Sequence, residues 1–427
     1  MTELLISRDG DIVVVAPIGF PASLERRHTL VALSGGHVAF AVDERDPALR
    51  AVIHDLDAAM WWLPLVLGAE VADAARRASV DSEPITRSAE EAAHPLRATL
   101  LRLGLALWLR RWWPTRTDTI PKLPAWLLDI EAGDTAFDCE VALGDDDALA
   151  RLLLEPHVVP LAALRRRHQS LLGGRPLLGY ADSILQRAAH SLLESSDPDS
   201  DGYSELAEAE VRAGREDALV ARELEDLDLE LLTIQVDERT MRTSSGSPAD
   251  RFGSASGADL SGSASVDPLA VPPRVVSAED DAVRWQIFEF DGRRQFRVMV
   301  DADEGAVERR LPLGGLFARV DYGDGLVAGV ALAAVEGGYD GETDLDATVP
   351  VSEVLVTVYS DAVGADGFQP RSEAERSADR AAIAAVVDAR VDEARRTVSR
   401  GTVPAGAWAD PFLAELRGAG LDLGGER

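Results

Sequence analysis

The sequence predicts a mixed α+β protein: N-terminal antiparallel β-hairpins with a mainly helical body, then a flexible linker and a C-terminal antiparallel β domain with a helical tail. Three observations carry this reading. Asp9-Gly10 and Ser34-Gly35-Gly36 are tight-turn sequences flanked by short apolar, β-branched runs. Between about 47 and 224 the apolar residues recur every three and four positions. Residues 241–275 are rich in Ser, Gly and Ala and contain Pro248, Pro268, Pro272 and Pro273. The predicted domains are therefore 1–240, a linker at 241–275, and 276–427.

Taken in order, 4–7 with 12–16 and 29–33 with 37–42 read as two hairpins. Helices are predicted over 46–79, 87–113, 145–154, 176–194 and 203–225. In 227–236, Leu227, Leu229 and Leu231 alternate with Asp228 and Glu230, a pattern that leaves strand and helix both open. The linker has almost no large apolar side chains to offset its ordering entropy. Beyond it, 283–290 and 294–300 flank Asp291-Gly292, and 313–320, 326–335 and 349–359 extend the sheet to about five strands. Ser372 and Glu375 have capping-box spacing, and Ile383, Val387, Val391, Ala394 and Val398 form one helical stripe running to Gly401. That stripe reads as a surface for a partner or for the adjoining sheet. Asp410-Pro411 opens a final short helix ending by Gly418.

Composition excludes several function classes. The 427 residues carry 74 acidic against 43 basic side chains, a net charge of −31. A polyanion is repelled by such a chain, so nucleic acid is not an expected partner. With 46 % apolar and 27 % charged residues, a wholly disordered, collagenous or membrane-spanning chain is excluded as well. Lys122 is the single lysine, set between Pro121 and Pro124. P-loop, protein-kinase and Schiff-base chemistries all need a lysine in a motif that is absent around it. The arginine bias fits a high-GC bacterial genome. Cys139 stands alone, so no internal disulfide or CxxC site exists, and Asp138 and Glu140 beside it raise its pKa. Residues 1–17 contain Glu3, Asp9 and Asp11 and no basic segment of the export type, so the predicted compartment is the cytoplasm.

The sharpest local motif runs from Asp197 to Glu208. Asp197, Asp199 and Asp201 fall at loop positions 1, 3 and 5, Gly202 at the turn, the Tyr203 carbonyl at position 7 and Glu208 at position 12. The loop resembles an EF-hand calcium loop, and the resemblance implies Asp197, Asp199, Asp201, Tyr203 and Glu208 as calcium ligands. It departs from that family at Pro198 and Ser204, and no second loop accompanies it. The alternative is an acidic connector whose carboxylates suit the dipole of the following helix.

Residues 96–113 form a basic-apolar island with Arg97, Arg102, Arg110 and Arg111 and no acid. It is too polar for a transmembrane segment. It reads as a core helix, with Trp61, Trp62 and Trp126 as packing partners for Trp108 and Trp112; the other reading is an interfacial helix making peripheral membrane contact. Arg165, Arg166, Arg167, His168 and Arg175 form a second basic knot, read as a helix end. Charge returns to acidic over 128–147 and is densest over 194–238.

Catalytic arrangements are sparse. His54 and Asp57 share a face if 46–79 is helical, and the seven histidines show no metal-binding spacing. Asp321 with Asp324, and Asp344 with Asp346, read as turn residues. No catalytic residue is assigned and no cofactor is required. The expected function is a non-enzymatic adaptor or regulatory subunit of a bacterial cytoplasmic system, engaging a protein partner. The alternatives are a calcium-responsive module and a hydrolase using His54 and Asp57.

Overall fold

The computed structural model describes residues 3–21, 26–78, 83–88, 94–113, 120–121, 123–144, 148–158, 161, 176–195, 258–267, 270–271, 275–277, 281–290, 293–302, 315–322, 325–335, 337–345, 354–360 and 373–422. The architecture is mixed α+β, as the sequence predicts. Described residues up to Ser195 and from Ala382 onward make one compact unit, and those from Ala258 to Ala381 make a second.

In the first unit, β1 (Glu3–Asp9), β2 (Ile12–Pro17), β3 (His28–Leu33), β4 (Gly36–Ala41), β5 (Arg50–Ile53) and β6 (Ile85–Ser88) form an antiparallel sheet of order β3-β4-β5-β2-β1-β6. Both predicted hairpins are present. At the second, Gly35 has φ +74°, and its carbonyl accepts the amides of His54 and Asp55. A Cβ there would lie 2.2 Å from the Asp55 carbonyl oxygen, so the turn needs glycine for both conformation and space.

Strand alternation sends Leu4, Ile6, Val13, Val15, Val31, Val38, Phe40, Ala51 and Ile53 to the core face. Helices cover that face. α1 (Leu56–Ala59), α2 (Leu63–Leu67) and α3 (Ala69–Ala78) replace the single helix predicted over 46–79. Arg50–Ile53 is a strand because Val52 and Ala51 pair with β2 and β4, and the Asp55 carboxylate accepts the Ala58 amide, starting the helix at Leu56. Then come α4 (Pro95–Trp112), α5 (Ala125–Phe137), α6 (Glu140–Leu143), α7 (Ala148–Leu154) and α8 (Pro176–Ser195). α5, absent from the sequence prediction, contacts α4, α7 and α8.

α4 settles the reading of 96–113. Leu100, Leu101, Leu103, Leu105, Ala106, Trp108, Leu109 and Trp112 are buried on several sides of it, so it is a core helix and its burial corrects the interfacial alternative. Trp62 is fully buried in the same core, whereas Trp61 is 39 % exposed. The indoles of Trp62 and Trp108 donate to the Ser34 and Arg26 carbonyls. Among the described residues no helix is long and apolar enough to cross a membrane.

The predicted domain boundaries differ from the observed units in two places. The helix α9 (Glu373–Arg400) and the short α10 (Leu413–Gly418) were expected with the C-terminal sheet. From Ala382 they belong to the first unit, and Ile383, Val387, Val391 and Ala394 are buried in its core. The predicted stripe thus packs within its own chain. The linker 241–275 also extends too far: its first part lies outside the described residues, but Ala258–Ala264 is a strand, β7.

In the second unit β7 joins β8 (Val283–Phe290), β9 (Arg293–Asp301), β10 (Leu316–Tyr322), β11 (Gly325–Val335), β12 (Gly338–Leu345) and β13 (Val354–Ser360) in the order β13-β10-β11-β12-β9-β8-β7. All pairs are antiparallel. The Ser360 amide donates to Ala270, so the segment after β7 reaches the opposite edge and the sheet is nearly a barrel. Its core contains Trp285, Ile287, Phe296, Val298, Val320, Val356 and Val358. β12 was not predicted, because Asp344 beside Gly341 reads as a turn residue. In the fold Asp340 and Asp344 pair with Arg297 and Arg293 on β9. Asp321, likewise read as a turn residue, lies in β10 at a register shift and pairs with Arg319.

Candidate functional site

The first unit holds three buried carboxylates on α5. Pro124 precedes this helix; Leu127, Leu128, Ile130, Ala132 and Ala136 pack in the core, yet Asp129, Glu131 and Asp134 are also buried. Ionised groups removed from water need partners. Each carboxylate has a different set.

Asp129 accepts from Arg110 Nε at 2.9 Å and faces His157 Nε2 at 3.0 Å. Asp134 accepts from the Ser191 hydroxyl at 3.0 Å and faces Arg187 at 3.3 Å. Burial nevertheless pushes its carboxyl up to about 6. Glu131 accepts the backbone amides of Leu413 at 2.5 Å and Ala414 at 3.4 Å, with Arg102 at 3.4 Å. Burial, helped by the nearby Glu415 charge, outweighs these contacts and pushes Glu131 up to about 7. Tyr180 on α8 is pushed up to about 12, first by burial and then by Glu131.

These side chains grip the C-terminal segment. Arg102 donates to the Trp408 and Asp410 carbonyls, while Arg390 on α9 donates to the Ala409 and Asp410 carbonyls and binds both oxygens of Glu415. Glu415 reaches back to the Phe412 amide at 2.7 Å. The fully buried Phe412 ring has the Arg102 guanidinium 4.0 Å and the Arg390 guanidinium 5.9 Å from its centroid. Chemically, the cluster can hold a peptide segment and store protons near neutral pH.

A second feature is the outer face of the N-terminal sheet. By register, Leu5 lies opposite Ala16, Val14 opposite Val52, Val52 opposite His37, and Leu30 opposite Ala39. Leu5, Ile12 and Leu30 are 40 %, 37 % and 43 % exposed on this face. Phe20 covers one end, its ring 5.1 Å from that of His28. His37, flanked by Arg50 and His54, is held below the usual histidine range, chiefly by burial.

The sequence-predicted calcium ligands Asp197, Asp199, Asp201, Tyr203 and Glu208 lie outside the described residues, as do Lys122 and the basic knot at 165–175. Among the described residues no group of three or more His, Cys, Asp or Glu is placed to hold a metal ion. His54 and Asp57 do not share a helical face: His54 ends the β5 connection, Asp55 caps α1, and both His54 and Asp57 are exposed. Cys139 is buried, and burial first, then the Asp138 charge, pushes its thiol up to about 12; of the two acidic neighbours the sequence points to, Asp138 contributes.

The buried acids on α5 were missed because they read as part of a charged surface stretch at 128–147. The available signal was an unbroken helical run, 125–137, with three acids among core-type residues and no Lys or Arg. Comparison with protein-family models, curated proteins and solved structures finds no match to this chain.

Proposed function

We propose that this protein is a non-enzymatic interaction module, an adaptor or regulatory subunit of a bacterial cytoplasmic system that engages protein partners. The observation that carries the reading is the organisation of the chain into two units with separate cores, the second lying in sequence between two parts of the first. Each unit with its own core presents its own surface. The outer face of the β1–β6 sheet supports the same reading, since it exposes the large apolar side chains of Leu5, Ile12 and Leu30 to solvent.

The test is in-cell crosslinking of the full chain, with Leu5→Glu/Leu30→Glu as the comparison. A protein partner is expected to crosslink to β1 or β3 and to be lost in the variant while circular dichroism stays unchanged. A chain that crosslinks to nothing, or equally well in the variant, overturns the reading. The spacing of Asp197, Asp199, Asp201, Tyr203 and Glu208 supports a second reading, calcium response through that loop. It requires a saturable calcium-dependent change in Tyr and Trp fluorescence that Asp197→Ala/Glu208→Ala abolishes.

A further inference from the structure

The segment from Trp408 to Glu415 is held as a ligand would be. Three of its carbonyls, on Trp408, Ala409 and Asp410, accept from Arg102 or Arg390, and the amides of Leu413 and Ala414 donate to Glu131. Glu131 and Arg102 lie some three hundred residues away in sequence, so the contact is tertiary and depends on the segment being seated. Seated, it sets Glu415 near the buried Glu131, whose other charged and titratable neighbours are Arg102 of α4 and Tyr180 of α8, while Asp410 of the segment acts on Tyr180. Arg390 of α9 is occupied by Glu415, leaving Glu131 a single guanidinium at 3.4 Å.

We propose that Glu131, with Arg102 and Arg390, forms a proton-operated latch that holds the C-terminal segment seated in acid and loosens it as the pH rises. When the segment leaves, Glu131 regains water and its ordinary acidity, near 4.5; when it is seated the carboxyl titrates at about 7. A group whose acidity is weakened by docking favours the docked state below the undocked value. That advantage is lost as the pH rises toward the docked one. Between pH 5.5 and 8 the opening equilibrium is then expected to increase roughly thirtyfold. Asp134, one turn along α5, has Arg187, Ser191 and Asp138 around it and feels the Arg102 charge last and least, so its titration is only weakly tied to the segment.

Hydrogen exchange of the full chain at pH 5.5, 6.5 and 8, corrected for intrinsic rates, tests this. Protection of amides 408–416 is expected to fall by that factor, most of it below pH 7 and levelling off above, while strands β1 to β4 keep theirs. Glu131→Gln, whose side-chain carbonyl still accepts the Leu413 amide, is expected to hold the segment with no pH dependence, and Asp134→Asn to leave the response intact. A pH-independent wild type, a response surviving in Glu131→Gln, or a loss of protection shared by β1 to β4 would each overturn the latch. Because the wild-type profile decides by itself, a failure of Glu131→Gln to fold leaves the test standing.

Discussion

Arg390 meets Glu415 in the first unit with side chains 11 % and 0 % exposed, whereas Arg293 meets Asp344 across β9 and β12 of the second unit at 74 % and 56 %. The chemical pair is the same, but the surroundings invert its energetics. In the first unit both charges have left water, so each depends on the other. In the second, water solvates both whether or not they touch. Arg390–Glu415 therefore acts as a fixed connection and Arg293–Asp344 as surface decoration.

The largest test of that contrast is Arg390→Ala. It strands the buried Glu415 carboxylate, removes donors to the Ala409 and Asp410 carbonyls and uncovers one face of Phe412. A loss of about 3–5 kcal/mol is expected in the denaturant unfolding of the first unit. The double variant Arg390→Met/Glu415→Leu should lose clearly less, because no charge remains buried. If it loses the full sum of the two single changes, shape and not charge holds the segment.

A middle-sized test concerns packing. Gly104 lies within α4 where a Cβ would come 2.6 Å from Phe40 Cζ and 3.0 Å from Thr29 Cγ2. Alanine gains about 1 kcal/mol of helix propensity but overpacks a rigid core at about 1–3 kcal/mol, so Gly104→Ala should lose about 1 kcal/mol net. Gly179 on α8 has nothing within 4 Å of the same added atom. Thermal melts should show Gly179→Ala stabilised and Gly104→Ala destabilised; a gain at both would mean that the Phe40 ring shifts freely.

Legibility follows the same division. Hairpins with local turns, β1–β2, β3–β4 and β8–β9, could be read because their information lies within a dozen residues. So could α8 and α9, whose apolar stripes run unbroken. What stayed hidden depends on distant partners. Asp129, Glu131 and Asp134 look like surface acids until Arg110, Arg102 and Ser191 are brought to them. β7 was hidden differently: its small residues suggest a linker, but Gly262 leaves room for the Trp285 ring, whose Cζ2 lies 2.5 Å from where a Cβ would be. Glycine in that strand marks an aromatic neighbour, information held by β8 and not by β7. The predicted calcium loop could be read in sequence and lies where no described residue bears on it.

The smallest effect is expected at Arg293→Ala. Asp344 would keep the Gln295 side-chain amide at 3.3 Å and open solvent, so no charge is stranded. The change should stay within about 0.5 kcal/mol. Its neighbour Arg297 grips Asp340 with two bonds, at 3.1 and 2.6 Å, from a half-buried position, and Arg297→Ala should lose more, about 1 kcal/mol. Salt distinguishes the exposed pair from the buried one further. At about 1 M ionic strength the screening length falls to roughly 3 Å, so the Arg293→Ala difference should vanish while the Arg390→Ala loss persists. If salt reduced both losses equally, solvent would have to reach Glu415, and the contrast in burial would no longer account for the two kinds of pair.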